Sequence, residues 1–120
     1  MELTRHRYLS VATFRGSGAE VRTPVWFAPF DGKLYVFTSG DSGKAKRLRN
    51  STRARIAPCD ARGGVLGPWR DATARLVTDR ELIESAWAAQ RAKYGVQFRI
   101  LDLFSRLAGR VARRAWIEIS

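Results

Sequence analysis

A chain of 120 residues has room for one modest core and little more, and with 45% hydrophobic and 28% charged residues it is globular rather than disordered. Twenty-two Lys and Arg against 11 Asp and Glu leave a net charge of +11, which calls for an anionic partner without saying which. The single Cys59 excludes an internal disulfide framework. The N-terminal residues lack a signal-peptide core and no apolar run reaches membrane-spanning length, so a soluble cytoplasmic protein with no membrane partner is expected.

The first half reads as strands. YLSVATF (8–14) is rich in β-branched and aromatic residues and closes at the turn RGSG. EVRTPVWFAPF (20–30) resumes the pattern, with Pro24 and Pro29 suited to an edge or a bulge. DGK at 31–33 is a hairpin signal leading into LYVFT (34–38), so 20–38 is expected to be one hairpin. Residues 42–50 turn helical, with Ala45 and Leu48 inward and Lys44, Lys46 and Arg47 pointing elsewhere. RARIAPC (53–59) and PWRDATARLV (68–77) are strands again, separated by a Gly-rich loop. Thr78 and Glu81 stand in capping-box relation and open an amphipathic helix to Tyr94, with Leu82, Ile83, Ala86, Trp87, Gln90 and Tyr94 at helical spacing. A second helix, 96–108, is apolar over a wide face, and 112–119 alternates as a last strand. Short antiparallel strands with few helices predict a single mainly β (α+β) domain over 1–120, a small barrel of about six strands and two to three helices.

Side-chain chemistry finds little support. One His and one Cys cannot assemble a zinc site, and no nucleophilic triad is available with His6 alone. Cys59 reads as a small buried hydrophobe. If the chain is an enzyme, a cofactor performs the reaction. SGDSGKAKRLRN (39–50) is no Walker motif, because only two residues separate Gly40 from Gly43 and Ala45 stands where Ser or Thr would bind magnesium. It is nevertheless built like an anion cradle. Ser42 caps a helix, the N–H groups of Gly43, Lys44 and Ala45 would point outward, and Lys44 adds a charge. A capped surface helix with solvated lysines is the alternative.

Taken together, YLSVATF, TPVWFAPFDGKLYVFT, SGKAKRLRNSTRARIAPC and GPW…ATARLV resemble the pyridoxamine 5'-phosphate oxidase-like split β-barrel superfamily. Within it, the chain is similar to the small flavin and deazaflavin oxidoreductases of actinobacteria described as coenzyme F420-dependent. The resemblance implies a dimeric FMN-binding split β-barrel with the cofactor in a groove at the subunit interface. It places Thr23, Pro24, Val25, Trp26 and Phe27 along the cofactor ring. Phe37, Thr38, Gly43 and Lys44 match the phosphate segment, and Lys46 and Arg47 lie within reach of an anionic tail. Coenzyme F420 carries a phosphodiester and a polyglutamate tail, and six basic residues between Lys44 and Arg55 exceed what the single phosphate of FMN requires. Pyridoxamine phosphate oxidases proper carry a basic residue where Gly43 stands and a longer C-terminal segment, so oxidation of that substrate is not implied.

The expected function is hydride transfer between F420 (alternatively FMN) and a small organic acceptor, with no catalytic side chain and no metal, and with Trp26, Phe27 and Trp69 as candidate ring or pocket contacts. A non-catalytic cofactor carrier is the alternative. A nucleic-acid binder, suggested by the charge and by the cluster Arg106, Arg110, Arg113 and Arg114, ranks below both. Homodimer formation is expected from the open edges of a small barrel and from apolar faces such as LDLF (101–104).

Overall fold

The computed structural model describes residues 2–40, 42–109 and 114–120. A 3-10 turn (Glu2–Arg5) leads into four strands, β1 (Tyr8–Phe14), β2 (Glu20–Val25), β3 (Ala28–Phe30) and β4 (Lys33–Ser39). There follow α1 (Gly43–Asn50), β5 (Arg53–Cys59), β6 (Arg70–Val77), α2 (Arg80–Tyr94), α3 (Val96–Leu107) and β7 (Arg114–Ile119). The start expected for the last strand, at residues 112–113, lies outside the described residues. The α+β split barrel is as expected, with seven strands rather than about six because the stretch 20–30 is broken in two.

That break organises the sheet. The strands run antiparallel in the order β2-β1-β5-β6-β7-β4-β3. β2 and β3 stand at opposite ends of the order although only Trp26 and Phe27 separate them along the chain, so the sheet curls until its two ends are joined. The expected 20–38 hairpin is therefore corrected. β3 pairs with β4 through Phe30↔Lys33, across Asp31 (φ 52°) and Gly32 (φ 76°), the two left-handed residues that a tight two-residue turn demands. β2 instead pairs with β1, from Leu9↔Val25 to Phe14↔Glu20. Pro24 is accommodated because β2 is an edge, where a missing N–H costs little.

Strand parity then sorts the side chains. Leu34 and Val36 of β4, Ile117 and Ile119 of β7, Leu9 and Val11 of β1 and Ile56 of β5 fill the barrel, with Leu48 of α1 closing one side. The opposite parity, Tyr35 and Trp116, meets Ala86, Leu82, Ile83 and Trp87 of α2. Both Thr78 and Asp79 can cap a helix, and the cap proves to be Asp79, whose carboxylate accepts from Glu81 N at 3.0 Å. Gly95, at φ 60°, ends α2 and lets α3 start at once in a new direction.

α2 holds the break at Trp26–Phe27. Gln90 is fully buried and its amide donates to Trp26 O (3.3 Å) and Tyr35 O (3.0 Å). The Tyr94 hydroxyl accepts from Phe27 N (2.9 Å) and lies 2.7 Å from Arg7 O and 2.9 Å from Phe27 O, the two acceptors for its one proton. Its pKa is pushed up to about 12, chiefly by burial. Strand backbone that leaves a ladder must find other partners, and here two side chains of one helix face supply them. Tyr94→Phe keeps the ring stacked on Trp26 (4.5 Å) and removes only the hydroxyl. It is expected to lower unfolding free energy by about 2 kcal/mol, read as a lower urea midpoint at unchanged slope.

Candidate functional site

The candidate site lies where β4 runs into α1. Ser42 has extended backbone (φ −67°, ψ 158°), and its Oγ accepts from Ala45 N at 3.1 Å. The Thr38 hydroxyl donates to the same Oγ at 3.2 Å, so Thr38 orders the cap. Ala45 N–H is consumed by the cap, which corrects the expectation of three outward donors. Two remain, Gly43 N–H and Lys44 N–H, neither of which donates a hydrogen bond among the described residues. Asp41, part of the SGDSGK stretch, lies outside the described residues.

Lys44 does not point away from the body. With 6% of its surface exposed it is buried alongside Ala45 and Leu48, and among the described residues it has neither hydrogen bond nor ion pair. Burial, seconded by the neighbouring Arg47, lowers its pKa to about 8. Arg47 does not extend along the helix. It folds back so that Nε donates to Thr13 Oγ1 (2.6 Å) on β1. Its guanidinium lies over the first residue of α1, where a Cβ on Gly43 would come within 2.7 Å of Nη1. Glycine is thus the residue that lets the cation sit against the helix N-terminus. Burial and the nearby Arg15 both lower the Arg47 pKa. Lys46 is exposed. Arg15, Lys44 and Arg47 form no ion pair with a carboxylate among the described residues.

Besides Arg47, which is held by Thr13, three of the six basic residues between Lys44 and Arg55 are engaged within the fold. Arg49 donates to Gly40 O (2.8 Å), Arg53 lies 3.9 Å over the Phe14 ring, and Arg55 pairs with Glu20 (3.1 Å). The charge available to a ligand at this end of the barrel is therefore Lys44, Lys46, Arg47 and Arg15. Thr13 and Arg15 were missed by sequence reasoning, since neither lies near 39–50 in the chain and only the fold of β1 against α1 brings them there.

The ring-side residues divide. Thr23, Pro24 and Val25 lie on β2, whose outer edge carries no strand, and Thr23 Oγ1 is buried without a partner among the described residues. Trp26 instead stacks on Tyr94 and packs against Phe98 at 6.0 Å. Phe27 is fully buried, with Lys93 Nζ 3.3 Å over its ring. Phe27 belongs to the core and Trp26 is half-buried against the helices, and Phe27 N–H and Trp26 O are committed to α2. Phe37 also leaves the group. It has the opposite parity to Thr38 and packs under the helices against Phe98 (5.6 Å), Trp116 (5.2 Å) and Arg114 (4.4 Å). Trp69 is covered by Arg22 (4.7 Å) and Arg55 (5.2 Å). The site the structure brings together is Ser42, Gly43, Lys44 and Arg47 with Thr13, beside Arg15 and the exposed Lys46.

Two N–H groups and the positive end of a helix dipole thus sit beside cations that pair with no carboxylate among the described residues. Among the described residues no group of His, Cys, Asp and Glu could hold a metal. Lys44, buried and without an ion pair among the described residues, also weakens the fold. Its pKa of about 8 lies below its ordinary 10.5, so between those values the unfolded chain holds more protons and stability rises with pH. Lys44→Met is expected to remove that rise and to stabilise the protein at pH 7 by on the order of 1–3 kcal/mol, seen as a higher Tm.

Solved structures share this architecture. A conserved hypothetical protein, Rv2991 of Mycobacterium tuberculosis, superposes with a TM-score of 0.72 at 20% identity over 98% of this chain and 74% of that one. The heme storage protein HutZ of Vibrio cholerae gives 0.73 at 16% identity over 99% and 84%, and ChuZ of Campylobacter jejuni 0.73 at 12% over 99% and 50%. At these identities the likeness is one of fold. Comparison with curated protein sequences gives no match. The sequence pattern of the pyridoxamine 5'-phosphate oxidase family matches residues 2–120, essentially the whole chain, and the chain belongs to that family.

Proposed function

We propose that the protein is an oxidoreductase that binds an anionic deazaflavin, coenzyme F420, with FMN as the alternative, and transfers hydride between it and a small organic acceptor. The observation that carries this reading is that Lys44, Arg47 and Arg15, beside the Gly43 and Lys44 N–H groups of α1, pair with no carboxylate among the described residues. The residues fit a phosphate. Gly43 and Lys44 N–H would donate to its oxygens, buried Lys44 and Arg47 would neutralise it, and Thr13 keeps the Arg47 guanidinium aimed at Gly43. Exposed Lys46 supports the choice of F420, whose polyglutamate tail needs a cation one turn beyond the phosphate.

The open edge of β2 at Thr23–Val25, with its unpartnered Thr23 hydroxyl, suits the polar rim of the ring, and a second copy closing over that edge would complete the groove as a homodimer. When bound, the cofactor supplies the hydride chemistry. The chain binds, orients and excludes water. Heme fits this chain less well. Cys59 is 2% exposed with its thiol pKa raised by burial, and His6 lines a cavity of only about 150 Å³.

Titration with F420 and with FMN, read by tryptophan fluorescence, tests the reading. Saturable micromolar binding of F420 with FMN weaker is expected, and absence of binding by both would sink it. Lys44→Ala should weaken binding by about 1.5–3 kcal/mol. Affinity for wild type should fall as pH rises through about 8, where Lys44 loses its proton, and Lys44→Arg should flatten that dependence. Consumption of reduced cofactor when acceptors are offered separates an oxidoreductase from a carrier.

A further inference from the structure

α3 presents a surface that neither the fold nor the proposed cofactor site uses. One side of the helix is anchored. Phe98 is fully buried, and Asp102 accepts from Arg114 Nη1 (2.7 Å) and Trp87 Nε1 (2.8 Å). The opposite side carries Val96, Ile100, Leu103, Phe104 and Leu107, spaced i, i+4, i+7, i+8 and i+11, so they form one stripe, each at least half exposed. Apolar side chains of this size, contiguous and open to solvent, mark a surface that meets something.

A second, charged feature adjoins the stripe. Arg91, Arg99 and Arg106 line a cleft of about 480 Å³ between α2 and α3, with Asp102 at its base and Leu103 shared with the stripe. Among the described residues none of the three arginines pairs with a carboxylate. The carboxylate of Asp102 is already taken by Arg114 and Trp87, so the cleft is a cationic rim beside an apolar ridge.

We propose that α3 is an interfacial helix that docks the protein on an anionic lipid bilayer. The stripe would enter the boundary between headgroups and acyl chains while Arg91, Arg99 and Arg106 meet acidic headgroups. Charge complementarity decides for this occupant. A second copy set stripe to stripe would bring Arg99 and Arg106 against their own counterparts, between two molecules of net charge +11, with the one acid of α3 already engaged. An anionic surface supplies the missing counter-charge and the apolar phase together. No helix among the described residues is long and apolar enough to cross a membrane, and an interfacial helix about 18 Å long does not need to be.

The test is co-sedimentation of the full chain with vesicles of phosphatidylcholine alone and of phosphatidylcholine with about 30% phosphatidylglycerol, alongside light scattering of the free protein. Binding to the anionic vesicles should exceed that to neutral ones at least tenfold. Both Phe104→Ser/Leu107→Ser and Arg99→Gln/Arg106→Gln should lower it tenfold or more at unchanged Tm, since all four side chains are exposed. No binding by wild type overturns the proposal. Undiminished binding by Phe104→Ser/Leu107→Ser also overturns it, showing adsorption by net charge alone. A wild-type dimer that Phe104→Ser/Leu107→Ser splits, with vesicle binding absent, overturns it in favour of a second copy.

Discussion

The structure depends on one backbone interruption and on how it is satisfied. At Trp26–Phe27 the chain leaves one end of the sheet and joins the other, so two peptide units pass through the interior without a ladder. Buried peptide groups without partners would each cost on the order of 1–3 kcal/mol, enough to unmake so small a barrel. Gln90 and Tyr94, one turn apart on α2, answer them and at the same time tie in Tyr35 O and Arg7 O. The helix therefore closes the barrel as well as covering it. Closure fixes the parity of β4, which puts Leu34 and Val36 inside and turns Tyr35 and Phe37 toward the helices.

The same closure places the cradle. β4 delivers α1 against β1, where Thr13 is fully buried and holds Arg47 over Gly43. Leu48 and Ala45 anchor the helix in the core, and that anchoring draws Lys44 under cover with them. A buried cation with no carboxylate partner among the described residues is a cost the fold does not require, since an apolar side chain of similar size would pack there. Such costs are retained where a ligand repays them, and a phosphate among Lys44, Arg47 and Arg15 would do so.

Much of this was legible in the sequence. β-branched and aromatic content marked β1, period-two alternation marked β6 and β7, and the Asp31–Gly32 turn fixed the β3–β4 register. The pairing of β2 was not legible. Glu20–Val25 alternates equally well beside β4 or β1, and only the geometry of closure chooses. Periodicity placed Gln90 and Tyr94 on the inner stripe of α2 but could not say that they are there as donors and acceptor. Lys44 was misplaced because a helix of eight residues with two apolar anchors leaves its orientation open by a full position. Trp26 and Phe27 were assigned to the ring by family likeness. The burial of Phe27 and the stacking of Trp26 on Tyr94 follow from the bend, which no local pattern encodes.

The excess of positive charge is easily misread as a field spread over the whole surface. Many of the guanidinium groups are engaged within the fold. Arg53 lies on Phe14, Arg22 and Arg55 cover Trp69, Arg114 sits among Phe37, Trp87 and Phe98, and Arg75 forks onto Glu118 with bonds of 2.8 and 3.0 Å. A planar cation that both stacks and donates can stand in for apolar bulk in a barrel this small, which is one reason the chain carries so many. Among the described residues, cations without a carboxylate partner include those at the first turn of α1 and on the flank of α3. Each is set beside a feature that charge alone does not explain, free backbone donors in one case and an exposed apolar stripe in the other. Composition alone could not have separated these two pairings of charge with a second kind of surface.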